Sequence, residues 1–109
     1  MPAHITRPPY VGKNPQVFPD IIADPIYVMS DEEIKGMRIA ANLGARTLKH
    51  AIDNTKVGMT LDEIDEIVHD YIVGDEAYPS AIDFHHFPKS VCTSVNDVVS
   101  HGVPNSYIL

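Results

Sequence analysis

The chain has 109 residues, 44% of them hydrophobic and 21% charged, a composition that suits one globular domain with a small core and excludes a fibre or a wholly disordered chain. Eight Lys and Arg against 15 Asp and Glu give a formal charge of −7, so nucleic acid is not an expected partner, because an acidic surface repels phosphate backbones. No apolar run approaches the roughly 18 residues of a membrane-spanning helix, and the single cysteine, Cys92, excludes an internal disulfide or a cysteine-rich zinc module.

The reducing interior of a cell or organelle is the simplest setting for such a chain. The first residues, MPAHITRPPYV, lack the apolar core of a secretory signal and the Arg- and Ser-rich pattern of a transit peptide, so a secreted protein is not expected. Residues 1–29 carry Pro2, Pro8, Pro9, Pro15, Pro19 and Pro25. This spacing forbids a long helix and favours extended backbone. Apolar residues recur through it (Ile5, Tyr10, Val11, Val17, Phe18, Ile21, Ile22, Ile26, Tyr27 and Val28), which predicts a strap lying on a folded body rather than a free tail.

Ser30 with Glu33 three residues on is a capping box that opens a helix. Ile34, Met37, Ala41, Ala45 and Leu48 recur at three- and four-residue steps and predict its buried face; Lys56-Val57-Gly58 ends it. Thr60 with Glu63 is a second capping box, and Ile64, Ile67, Val68, Tyr71 and Ile72 predict the apolar face of a second helix stopped at Gly74. Residues 77–89, AYPSAIDFHHFPK, hold two prolines and no helical period and read as a loop. Residues 90–95 alternate and are β-branched, predicting a strand. A turn at Asn96-Asp97 and a short strand through Val98, Val99 and His101 follow. The expected class is α/β (α+β), with the strap over 1–29 and the folded part over 30–109.

Three groupings could carry chemistry. Asp83, His85, His86, Cys92 and His101 are all ligand-type residues, but their spacing fits no standard zinc pattern, and adjacent histidines on a strand would face opposite ways. Cys92 with His101 could form a nucleophile and base; no orienting acid or oxyanion device accompanies them, and Cys92 also reads as a small buried hydrophobe. The acidic run Asp62, Glu63, Asp65 and Glu66 lies where a helix dipole favours negative charge, and reads as a solvated face.

Ala77-Tyr78-Pro79-Ser80, then Phe87-Pro88-Lys89-Ser90-Val91-Cys92-Thr93-Ser94-Val95-Asn96, then Val99, His101-Gly102 and Pro104, closely resemble the signature of the type I methionine aminopeptidases. Thr60 with Asp62-Glu63-Ile64-Asp65 adds to the match, and His4-Ile5, Arg7-Pro8 and Tyr10-Val11 look most like the organellar eukaryotic forms. The resemblance implies the N-terminal half of a pita-bread fold, two pseudo-symmetric halves around a dinuclear metal centre, in an enzyme that removes the initiator methionine from nascent chains. It implies that His101 contacts the substrate near the scissile bond, where an imidazole can donate a hydrogen bond or shuttle a proton. It implies that Phe84, Phe87 and Cys92 receive the methionine side chain, since rings and sulfur suit a thioether. Asn96 and Val98 match a loop that binds a monovalent cation through backbone carbonyls in some members.

Some positions depart from the family's pattern. Ala81 replaces a usual proline or cysteine, Asp83, His85 and His86 stand where glycines are common, Ser100 replaces a cysteine, and Asn105 replaces an aspartate. The family's five metal ligands (two aspartates, a histidine and two glutamates) all lie beyond the HG-x-P motif, and this sequence ends before the first of them. The resemblance therefore implies two divalent ions, cobalt, manganese, iron or zinc, for the full-length family and none for these residues alone. The expected function is methionine aminopeptidase-like, acting on nascent chains that begin with Met but inactive by itself. The competing reading is a non-catalytic binder of nascent chains or a partner of a full-length enzyme. The expected setting is mitochondrial, otherwise organellar, or cytoplasmic. Self-association is expected through the unpaired edge of the 90–101 sheet.

Overall fold

The computed structural model describes residues 1–13 and 26–109. Helix α1 runs over Asp31–Asn54 and helix α2 over Leu61–Gly74, followed by a 3₁₀ turn at Phe84–His86. Both helices start where the capping boxes predict. Ser30 Oγ accepts from the Glu33 N–H and the Glu33 carboxylate accepts from the Ser30 N–H; Thr60 and Glu63 repeat the arrangement. Each box satisfies donors that a helix N-terminus otherwise leaves orphaned.

The helices run antiparallel. Arg46 on α1 pairs with Asp75 just past the end of α2 and donates to the Tyr71 hydroxyl, and the His50 and Tyr71 rings stack with centroids 4.3 Å apart. The end of the chain then folds back over the start of α2. The Leu61 and Asp62 N–H groups donate to the carbonyls of Tyr107 and Asn105, and Thr60 and Ile108 form an isolated antiparallel bridge. The free donors of the first turn of α2 are thus closed by backbone from the far end of the chain.

The core is built on α2. Leu61, Ile64 and Val68 are buried, with Ile5 of the N-terminal segment and Pro79 and Pro104. Burial of α1 departs from the sequence expectation. Thr47 is its one buried residue among those described, and Leu43, His50, Ala51 and Asn54 are half-buried, whereas Ile34, Met37 and Leu48 are 39%, 53% and 64% exposed. Helix α2 meets α1 on a face turned by roughly 140° from the predicted stripe, at 100° per residue. Of that stripe only Leu48 lines an open groove of about 840 Å³, whose walls also include Ile39, Leu43, Ala51 and Val91.

The predicted strands over 90–95 and 98–101 do not form, and no strand is present among the described residues beyond the isolated bridge. The donors and the backbone angles explain this. The Ser90 and Val91 N–H groups are taken by the Asp65 carboxylate rather than by a neighbouring strand, and Asn96 and His101 have φ of 55° and 53°, outside the strand region. The open sheet edge expected to drive self-association is accordingly not built.

Residues 1–13 form successive turns rather than an extended strap. Ile5, Val11 and Lys13 donate back to the carbonyls of Pro2, Pro8 and Tyr10; a proline at the second position of a turn, as Pro9 is here, presets its φ. Ile26, Tyr27 and Val28, predicted to grip the body, are 95%, 70% and 84% exposed. The predicted strap positions Pro15, Val17, Phe18, Pro19, Ile21, Ile22 and Pro25 lie outside the described residues. No helix among the described residues is long and apolar enough to cross a membrane.

Candidate functional site

Helix α2 holds the segment that carries the signature. Asp65 is 7% exposed, and its Oδ1 accepts from the N–H of Ser90 at 2.7 Å and of Val91 at 3.2 Å. A buried carboxylate is costly unless it is hydrogen-bonded and paired. Here two backbone donors and the Lys89 ammonium, 3.9 Å from Oδ2, supply that compensation. Lys89 also donates to Asp62 at 2.6 Å, and this bond is the main reason its ammonium pKa is raised. One turn on, His69 Nδ1 and Ser90 Oγ share a hydrogen bond of 2.8 Å. The acidic run is therefore more than a solvated face: Glu63 caps, Asp62 pairs, and Asp65 anchors backbone from inside the protein.

Beyond Val91 the chain makes a closed excursion. Thr93 N–H donates to the Gly102 carbonyl at 2.8 Å, and Gly102 N–H reaches Ser94 Oγ at 3.3 Å. The predicted turn at Asn96-Asp97 is present, closed by a bond from Val98 N–H to the Val95 carbonyl. The glycine after His101 is required by space. A Cβ on Gly102 would lie 2.1 Å from the Thr93 carbonyl oxygen.

The loop before the signature is shaped by the N-terminal segment. The Tyr10 hydroxyl donates to the Ser80 carbonyl at 2.5 Å, and the Gly12 N–H donates to the Asp83 carboxylate. The Tyr10 and Phe84 rings meet edge to face, with centroids 5.3 Å apart. Burial, followed by neighbouring charge that includes Asp83, raises the pKa of both Tyr10 and Tyr78. Within the loop Asp83, His85 and His86 have φ of 64°, 48° and 62°. Such left-handed conformations cost a non-glycine residue about 1–2 kcal/mol each. The loop is closed by bonds from Asp83 N–H to the Phe87 carbonyl at 2.8 Å and from Phe87 N–H to the Phe84 carbonyl at 3.0 Å.

The residues singled out by sequence fall on these segments. Phe84 and Phe87 close the 3₁₀ turn; Phe84 is 46% exposed, and Phe87 is half-buried beside a hollow of about 450 Å³ under the N-terminal segment. Cys92 is a free, exposed thiol rather than a buried hydrophobe. His101 is exposed, and the Thr93–Gly102 hydrogen bond brings its segment beside that of Cys92. Asn96, whose amide reaches the Tyr107 hydroxyl at 3.4 Å, and Val98 lie on the exposed turn. Asp83 and His86 approach to 3.8 Å, but no group of three or more His, Cys, Asp or Glu among the described residues could hold a metal ion. The described residues therefore do not fit a metal centre by themselves.

Asp65, His69 and Ser90 were not picked out from the sequence as a unit. A signal existed: Asp65 falls in helical register with Leu61, Ile64 and Val68, so it belongs to the inward stripe, where an acid requires partners.

With this geometry in view, the comparisons define the class. A model of the metallopeptidase family M24 matches residues 35–109, and the chain belongs to that family. Within it the similarity is to methionine aminopeptidases. The mitochondrial methionine aminopeptidase 1D of Danio rerio is 46% identical over 108 residues, covering 97% of this chain and 30% of the relative. The chloroplastic methionine aminopeptidase 1B of Arabidopsis thaliana is 46% identical over 97% of this chain and 28% of its own length. Methionine aminopeptidase 2 of Mycobacterium tuberculosis is 41% identical over the whole chain and 37% of its own length. The crystal structure of methionine aminopeptidase from Rickettsia prowazekii superposes with a TM-score of 0.75 at 35% identity, covering 78% of this chain and 34% of that one. The chain thus spans between 28% and 37% of the length of these curated relatives.

Proposed function

We propose that residues 30–109 carry the substrate-facing part of a methionine aminopeptidase, with residues 1–29 as an N-terminal segment of which residues 1–13 pack beside it. The full enzyme would be a dinuclear-metal hydrolase that removes the initiator methionine from nascent chains. In this reading Phe84, Phe87 and Cys92 receive the methionine side chain, and His101 contacts the substrate beside the bond to be cut. Asn96 and Val98 present backbone carbonyls toward a monovalent cation. The observation that carries the reading is 41–46% identity to methionine aminopeptidases over nearly the whole chain, which accords with the resemblance of the string from Phe87 to Asn96 and the His101-Gly102 pair to the family's signature.

The local chemistry agrees with these roles. Cys92 and His101 are exposed and lie on segments joined by a backbone hydrogen bond. The Phe84 ring offers open apolar area to a flexible thioether. The family's metals would activate water and polarise the peptide carbonyl; by the resemblance, their ligands lie beyond the HG-x-P motif. Similarity to mitochondrial and chloroplastic forms supports an organellar setting.

The test is hydrolysis of a Met-Ala-Ser peptide. The 109 residues alone, supplied with cobalt, manganese, iron or zinc, are expected to give no turnover. Fused to the remaining length of the Mycobacterium tuberculosis relative, they are expected to cleave, and His101→Ala in the fusion to lower kcat/KM by about 10²-fold or more. A cleaving fusion indifferent to His101→Ala would refute the role of His101. Turnover by the 109 residues themselves, abolished by His101→Ala, would refute the incomplete centre.

A further inference from the structure

We propose that Asp83 is a positioning residue for the methionine pocket: its carboxylate holds the N-terminal segment through Gly12, and with the Tyr10–Phe84 contact this fixes where Phe84 and Phe87 stand. The inference rests on the reading of Phe84 and Phe87 as pocket residues given above. It starts from a departure. Where the resembling family often carries glycines, this chain has Asp83, His85 and His86, and all three keep the left-handed backbone that glycine adopts without penalty.

A loop holding three such residues persists only where its surroundings determine it. Its internal bonds, from Asp83 N–H to Phe87 and from His86 and Phe87 N–H back to Asp83 and Phe84, close the turn on itself but do not tie it to the body. Long-range ties come from residues about 70 positions earlier, beside the Tyr78 hydroxyl on the Ile82 carbonyl: Gly12 N–H to the Asp83 carboxylate and Tyr10 hydroxyl to the Ser80 carbonyl, with the Tyr10 and Phe84 rings edge to face. Ile5, 4% exposed, seats the same segment in the core. A side chain in place of glycine thus brings an acceptor that glycine lacks, and that acceptor recruits the N-terminal segment. Phe84 and Phe87 flank His85 and His86 directly, so any drift of the loop moves both rings.

The experiment uses the full 109-residue chain and two readouts that need no hydrolysis. Amide hydrogen exchange is followed in peptides covering 80–88. ¹⁹F NMR is recorded on chain labelled with fluorophenylalanine, which reports on the three phenylalanines. Asp83→Ala is expected to speed exchange in 82–87 by about tenfold and to shift the Phe84 and Phe87 resonances. Tyr10→Leu, which keeps apolar bulk but removes the ring edge and the hydroxyl, is expected to do the same. Asp83→Asn, which keeps an oxygen acceptor for Gly12, is expected to stay within about threefold of the parent. Exchange in the capped first turns of α1 and α2 is expected to stay unchanged throughout. Unaltered loop exchange in Asp83→Ala and Tyr10→Leu would overturn the proposal, as would an acceleration spread equally over both helices. A loop that loosens as expected in a chain whose fusion never cleaves methionine would keep the brace and discard the pocket reading.

Discussion

Substituting Gly102 by alanine tests how the segment of His101 is held. The new Cβ would sit 2.1 Å from the Thr93 carbonyl oxygen, 2.9 Å from its carbon and 3.1 Å from Val98 Cγ1. Backbone must part by more than about 1 Å to restore ordinary contact, and the same two residues share the hydrogen bond from Thr93 N–H to the Gly102 carbonyl at 2.8 Å. Relieving the clash therefore stretches or breaks that bond. Overpacking of this kind costs about 1–3 kcal/mol, and the bond contributes about 1 kcal/mol net, so the expected loss is about 2–4 kcal/mol. Against a total of about 5–15 kcal/mol for a small domain, that is a large share. Gly36→Ala is the matched control. Gly36 lies inside α1 with nothing within 4 Å of its notional Cβ, so the same change there is expected to stabilise by about 0.5–1 kcal/mol. Urea unfolding followed by circular dichroism would compare Gly36→Ala with Gly36→Ala/Gly102→Ala, the first substitution supplying stability against which to read the second. A double variant within 0.5 kcal/mol or so of its parent would refute the close-approach argument.

Two further expectations rest on α2 and α1. Asp65→Ala leaves the Ser90 and Val91 N–H groups without their acceptor and is expected to cost about 2–5 kcal/mol. Asp65→Asn, which can still accept, is expected to cost less than half of that, and equal losses in urea unfolding would show that the two hydrogen bonds are not what Asp65 supplies. In α1 the Tyr27 hydroxyl, then the Ser30 N–H and the Ser30 hydroxyl, hold the Glu33 carboxyl down at about 2 from an ordinary 4.5. A carboxyl held below its unfolded value stabilises fully above pH 4.5 and loses that contribution as pH falls toward 2. The first turn of α1 is therefore expected to keep its cap at pH 4 and to fray near pH 2, read from the Glu33 and Ser30 NMR shifts; a Glu33 midpoint near 4.5 would refute the assigned hydrogen bonds.

Local chemistry was enough to read much of this molecule from the chain. Ser30 with Glu33 and Thr60 with Glu63 set both helix starts, because a capping box acts within four residues and needs no partner from elsewhere. The loop over 77–89 and the turn at Asn96-Asp97 follow from proline and from side chains that favour turns. The run from Phe87 to Asn96 with His101-Gly102 pointed to the family without any coordinates. What only the tertiary structure decided is where each surface finds its partner. Alternation over 90–95 predicts a strand, yet Asp65 claims the Ser90 and Val91 donors from a helix about 25 residues earlier. The stripe from Ile34 to Leu48 predicts a buried face, yet α2 packs on a face well around the helix from it. Asp65 itself reads as one acid among four until α2 turns it inward. Periodicity reports which side of an element is apolar or could pair. It does not report which neighbour arrives, because that choice is settled by contacts between residues far apart in the chain.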